Sequence, residues 1–222
     1  MKNLMKPLIV FIMFLIASES FAQTFGINAG YNLSNLIDKE PPYTGNQYRG
    51  VDEYKMKPGF NAGVTVEFPT KDWFSIDMGL ILSTKGCKIS SKDGPSFFIT
   101  NIKETRNLVY LDIPLTAKKY FNARCAKIYG AFGPYIGIGL GGKWDEIETN
   151  NFSGGTISSS SNAFDGLNKL DFGLTAGVGV SIYSFQIGLS YGFGLSNISS
   201  DSNVIIRNSV LGISLGYIFG AK

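Results

Sequence analysis

Between Leu170 and Ile182 the chain alternates without a break. Leu170, Phe172, Leu174, Ala176, Val178, Val180 and Ile182 are interleaved with Asp171, Gly173, Thr175, Gly177, Gly179 and Ser181. A period of two puts every apolar side chain on one face of a strand and every small or polar one on the other. The same period runs through Phe25–Tyr31, Phe60–Phe68, Phe74–Leu82, Val109–Ala117, Ile128–Leu140, Phe185–Phe193 and Leu211–Phe219, which makes eight predicted strands. Most of these segments approach or exceed the roughly 9–11 residues that a tilted strand needs to cross a bilayer, where an ordinary globular strand has about 5–6. The stretch from Phe172 to Ser200 carries no charge and invites a transmembrane-helix reading. Its glycines, Gly173, Gly177, Gly179, Gly188, Gly192 and Gly194, keep one parity within each strand, and glycine costs about 1 kcal/mol per residue inside a helix.

The connections between these strands alternate in length. Asn32–Lys57, Lys85–Arg106 and Lys143–Lys169 are long; Pro69–Asp72, Asn122–Arg124 and Tyr183-Ser184 are short; Leu195–Asn208 is intermediate. An even strand number, with short turns at one end and long loops at the other, is the plan of an outer-membrane barrel with both termini on the periplasmic side. The expected fold is all-β: a single eight-stranded antiparallel transmembrane β-barrel, an up-and-down meander. The glycine- and serine-rich face belongs inside, because eight strands leave an interior only wide enough for side chains. On the apolar face, Phe25, Phe68, Phe74, Phe121, Phe185, Tyr217 and Phe219 gather beside the short turns, as an aromatic girdle at the periplasmic interface would. An open diffusion pore is not expected in so narrow an interior.

The N-terminus adds an address. Lys2 and Lys6 precede the apolar run PLIVFIMFLIA, and Ser20 and Ala22 form a small-x-small cleavage site. Residues 1–22 therefore read as a secretory signal peptide, with 23–222 as the barrel domain of a Gram-negative cell envelope. The run is too short for a membrane-anchor helix, and no cysteine follows Ala22 to carry a lipid.

Composition narrows the chemistry. In 222 residues there is no histidine, which excludes Ser-His-Asp and Cys-His catalysis and every His-ligated metal. A net charge of +3 without a basic block argues against nucleic acid as a partner. Cys87 and Cys125 fall at opposite ends of the barrel, so a disulfide between them is not expected. The inward parity carries Glu67, Asp77, Asp112 and Asp171 with Lys118, and Lys118 shares a strand face with Asp112. Paired carboxylates can perform acid–base work, but a narrow lumen needs its charges paired, and a polar network is the expectation. Pro114 cannot donate to a ladder and implies a bulge or a lumen position. The second long loop, with Lys85, Lys88, Lys92, Lys103 and Arg106, reads first as a solvated loop; the alternative is that its positive charge meets lipopolysaccharide phosphates at the outer rim, where Ser96–Ile99 adds an apolar patch. No cofactor or metal is implied.

The segments LVYLDIPLTAKKYF and IYGAFGPYIGIGL resemble the PorT-like outer-membrane β-barrel family of Bacteroidota, in which a D/E-I-P-L-x-x-K strand pairs with a G-x-Y strand. The pattern falls on Asp112, Ile113, Pro114, Leu115 and Lys118, with Gly133 and Tyr135 on the next strand. The opening TFGINAGYNLS and the closing LGISLGYIF resemble that family's first and last strands, so the likeness covers the mature chain. It implies the barrel and no reaction; some members assist type IX secretion. The reading is thus a non-enzymatic, monomeric outer-membrane barrel in contact with outer-membrane lipid, with lipopolysaccharide as a candidate contact, its long loops serving envelope structure or a partner. A secretion accessory and an outer-membrane lipid enzyme are the alternatives.

Overall fold

A computed structural model describes residues 23–39, 53–71, 73–93, 100–150 and 155–220. The expected signal peptide, 1–22, and the Ser96–Ile99 patch lie outside the described residues. Every alternating segment is a strand, and one more is present. The order is β1 (Thr24–Lys39), β2 (Glu53–Lys71), β3 (Phe74–Asp93), β4 (Thr100–Ala123), β5 (Ala126–Asn150), β6 (Thr156–Asn162), β7 (Leu170–Ile182), β8 (Phe185–Gly194) and β9 (Ile205–Phe219). Antiparallel neighbours run β1-β2-β3-β4-β5-β7-β8-β9 and back to β1, so eight strands close a ring; β6 pairs only with β5 and hangs outside it. The seam joins Phe25 to Phe219 and Leu33 to Leu211.

Alternation sorts the faces as the sequence reading expects. Phe60 is 70% exposed and Val178 58%, whereas Asp171 is 0% and Lys85 2% exposed. The apolar face points outward and the small polar face lines the lumen. Among the described residues no helix is long and apolar enough to cross a membrane.

Inside the ring, large rings and glycines are matched across strands. Tyr129 on β5 stands directly opposite Gly179 on β7, and Tyr135 opposite Gly173. A Cβ on either glycine would collide with the facing tyrosine ring. At these two rungs glycine and tyrosine are matched, β7 giving up its side chains so that tyrosines from β5 can fill the lumen.

The long links differ from expectation. Lys85–Asp93 and Thr100–Arg106 are sheet and not loop, because β3 and β4 stay in register from Lys85↔Leu108 to Asp93↔Thr100. Most of Lys143–Lys169 is likewise sheet: β5 continues to Asn150 and β6 pairs with it from Lys143↔Asn162 to Thr149↔Thr156. With 24 and 25 residues, β4 and β5 are more than twice the length a crossing needs, so the sheet stands clear of the barrel at this hairpin end. At the opposite, turn end the links are tight, and Arg124 (φ 31°) and Tyr183 (φ 53°) take left-handed backbone in two-residue turns.

The hairpin-end mouth is stoppered. Leu36, Cys87, Leu108, Tyr110, Ala163, Phe164, Leu167 and Ile198 form a buried apolar cluster, with Phe164 edge-on to Tyr110 at 5.5 Å. Phe164, Leu167 and Ile198 come from the segments before β7 and after β8. Backbone bonds from Asn168 N–H to the Ile198 carbonyl (2.7 Å) and from Ser200 N–H to the Gly166 carbonyl (2.9 Å) tie those segments together.

Candidate functional site

The inward parity of β2, β3 and β4 brings charges together in two layers. At the turn end, Lys118 on β4 sits 2.7 Å from Asp77 and 3.6 Å from Glu67. Glu67 Oε1 also accepts hydrogen bonds from Ser75 and Tyr120, both at 2.7 Å. Nearer the hairpin end, Lys85 on β3 reaches Asp112 at 2.8 Å and Asp171 at 3.3 Å. Asp171 accepts further bonds from Tyr135 (3.1 Å), Asn208 (2.9 Å) and Ser196 (3.1 Å). Lys85 is stacked between the faces of Tyr110 and Tyr135, 4.7 and 4.8 Å from their centroids.

All five expected lumen residues thus face inward, but not in the expected pairing. Lys118 does not meet Asp112. Parity fixes a face and not a depth, and six residues along a strand separate the two by about 20 Å. The cation of Asp112 is Lys85, which falls in a segment whose sequence reads as loop. Its signal was available, since Ser75, Asp77, Ile81, Ser83 and Lys85 share one parity of β3. Tyr120, Tyr135 and Asn208 were also missed, and nothing in their local sequence marks them as ligands of a carboxylate.

Between the layers lie two cavities of about 180 and 150 Å³, both lined by Asn28, Ile81, Pro114, Thr175, Ser190 and Ser214. Pro114 occupies a lumen position rather than a bulge: the β3–β4 pairing lapses after Met78↔Leu115 and resumes in the same register at Ile81↔Asp112. A larger recess of about 1020 Å³ opens at the turn end, with Lys71, Arg124 and Lys127 among its lining residues and Glu67 and Tyr120 toward the first ionic layer.

The aromatic residues expected beside the turns lie there on the outer face. Phe25, Phe121, Phe185, Tyr217 and Phe219 are exposed, and Phe68 and Phe74 are half-buried. Tyr217 packs edge-on to Phe185 (5.3 Å) and Phe219 (4.9 Å). Cys87 is buried in the apolar stopper and Cys125 is exposed at a tight turn, with no disulfide between them.

The protruding sheet has two unlike faces. Trp144 packs against the apolar stopper, donates from Nε1 to Glu104 (3.1 Å), and carries the Arg106 guanidinium over its ring at 4.0 Å. That fixes Trp144, Arg106 and Glu104, with Glu146 in register with Glu104, on the side turned toward the barrel axis. Alternation then sends Lys103, Thr105, Lys143, Asp145 and Ile147 to the outer side, where Lys88 and Lys55 face each other across β2 and β3. The charges expected to form one loop patch are therefore divided: Lys85 and Arg106 turn inward, and Lys88 and Lys103 outward. Lys92's side chain is outside the described residues. Among the described residues no group of three or more acidic or cysteine side chains could hold a metal ion.

The sequence family described as outer membrane protein beta-barrel domain matches residues 21–200. No curated protein sequence matches the chain. Similar solved structures include the outer membrane protein OprG from Pseudomonas aeruginosa, 14% identical, with 90% of this chain and 97% of that one covered and a TM-score of 0.45. Another is Ail, the attachment invasion locus protein of Yersinia pestis, in complex with the heparin analogue sucrose octasulfate (18% identity, 89% and 99% covered, TM-score 0.39). A third is Neisserial surface protein A (14% identity, 88% and 97% covered, TM-score 0.37).

Proposed function

The chain belongs to the outer membrane protein beta-barrel domain family, and from that premise we propose that it is a non-enzymatic envelope protein whose working surface is the sheet standing outside the membrane. The observation that carries this reading is the continuation of β3, β4 and β5 in unbroken pairing beyond the stoppered lumen. A chain that only needed to plug a hole in lipid would end its strands at the interface. The interior offers no route for solute and no acid–base pair, since each carboxylate pair holds a lysine ammonium between its members. Residues 1–22 act as the export signal, and the turn-end aromatics as the periplasmic girdle; N-terminal sequencing of the mature protein is expected to begin at Gln23.

In planar bilayers the purified barrel is expected to show no steady openings of porin size, and lipid A from a deletion strain to match wild type in mass. Porin-like conductance would overturn the sealed lumen, and a changed lipid A would restore the enzyme alternative.

A second reading, an accessory of a secretion machine as in some PorT-like proteins of Bacteroidota, is favoured by the turn-end recess with Lys71, Arg124 and Lys127. The motif behind that resemblance does not itself favour it, because Asp112, Pro114 and Lys118 are all occupied in the lumen. Cross-linking from Arg124 to a periplasmic protein of the secretion apparatus would select this reading.

A further inference from the structure

We propose that the outer side of the protruding sheet, centred on Lys88, Lys103 and Lys143, binds the phosphate groups of a phosphorylated glycolipid of the lipid A type in the surrounding outer leaflet. The inference rests on the reading of the chain as an outer-membrane barrel with an external sheet, and adds its ligand.

Three observations carry it. First, the lysines share a face. Lys103 and Lys143 lie on the same side of the β4–β5 pair as Ile147 and Asp145, and Lys88 on the same side of β3, in register with Thr105. All three are exposed, with Lys55 exposed beside Lys88. Second, that face continues the outward apolar surface of the barrel, so it looks sideways over the membrane and not up into solvent. The carboxylates Glu104 and Glu146 are on the other side. Asp145 shares the lysine face and accepts a hydrogen bond from Ser160 at 2.9 Å.

Third, the height fits. Lys143 stands three residues beyond the exposed Leu140, and Lys103 six residues before the outward Val109. At about 3.4 Å per residue and a tilt of about 40°, those rungs are about 8 and 16 Å past the last hydrocarbon contacts. A phospholipid headgroup layer is only about 5–8 Å deep. The Lys143 and Lys88 rungs stand at the outer edge of that layer and the Lys103 rung above it, so their flexible ammonium groups can meet phosphates carried on a sugar headgroup.

The test titrates diphosphoryl lipid A, fully dephosphorylated lipid A and soluble polyphosphate into the full-length barrel in zwitterionic micelles. Wild type is compared with Lys88→Gln/Lys103→Gln/Lys143→Gln and with the corresponding triple Arg variant. A lysine near an anionic lipid surface contributes about fivefold, so the Gln variant is expected to bind diphosphoryl lipid A on the order of 100-fold more weakly. The Arg variant keeps wild-type affinity, wild-type binding weakens with added salt, and dephosphorylated lipid A binds poorly throughout. Equal affinity of wild type and a folded Gln variant overturns the proposal, as does equal binding of dephosphorylated lipid A. Polyphosphate binding as tight as that of diphosphoryl lipid A overturns it too, in favour of a soluble polyanion. Heat-modifiable gel mobility separates the two levels: a wild-type chain that never folds in bilayers overturns the barrel reading itself, whereas folded protein with unchanged affinity overturns only the site.

Discussion

Lys85 on β3 and Asp171 on β7 meet across the barrel at 3.3 Å, tying together walls that share no backbone ladder. Asp112 completes the layer at 2.8 Å from the same ammonium. Lys85→Met leaves two carboxylates buried without their shared cation and is expected to cost about 3–5 kcal/mol of stability. Asp112→Asn, which keeps the contact to Asp171, is expected to cost less. Denaturant unfolding in micelles measures both, and a Lys85→Met barrel as stable as wild type would show that the walls do not need this contact.

The two faces of β7 give a paired prediction. Val178 looks outward near mid-strand, so Val178→Arg is expected to cost about 2–4 kcal/mol. Gly177 lines a cavity, and its nearest obstacle to a Cβ is the Leu189 carbonyl at 3.2 Å. Gly177→Ser is expected to fold, whereas Gly179→Ser collides with Tyr129 and is expected to fold poorly. Should Val178→Arg retain normal heat-modifiable mobility while Gly177→Ser loses it, the faces are reversed and the membrane assignment fails.

Phe164 is the centre of the stopper, 7% exposed and packed on Tyr110. Phe164→Ala is expected to cost about 3 kcal/mol locally, seen as faster proteolysis between Ala163 and Lys169 while the barrel keeps its gel mobility. Unchanged cleavage would mean that the segment is held by its backbone bonds to Ile198 and Gly166 alone.

The cysteines report orientation. Cys125 is exposed at a turn and Cys87 is buried. A membrane-impermeant maleimide is expected to label Cys125 only after the outer membrane is permeabilised, and to leave Cys87 unmodified in the folded protein. Labelling of Cys125 on intact cells would invert the topology.

The barrel was legible in the sequence because lipid outside and a tight polar interior impose opposite demands on alternate residues. Where that contrast ends, so does legibility. Beyond the hydrocarbon neither side of the sheet faces acyl chains, and Thr100–Arg106, TNIKETR, loses its apolar alternation although it remains strand. β6, with its four consecutive serines, reads as a loop for the same reason. The stopper escaped notice because Phe164 and Leu167 sit among Asp165, Gly166 and Asn168, where neighbours give no hint of burial. In the lumen, parity identified the charged residues, but their partners depend on depth and on which walls face each other, and only the closed ring supplies those.

The β4–β5 hairpin has a kinetic consequence. Its ladder begins at Ala123↔Ala126, across a two-residue turn, and extends to Thr100↔Asn150. Each new rung closes almost no additional chain, so the hairpin zips outward from Arg124 with little entropic cost per step. The seam between β1 and β9 is the opposite case: Phe25 must find Phe219 across nearly the whole polypeptide. Assembly is therefore expected to begin near the middle of the sequence and finish where its ends meet, leaving β1 and β9 as the two open edges that any insertion machinery would have to chaperone.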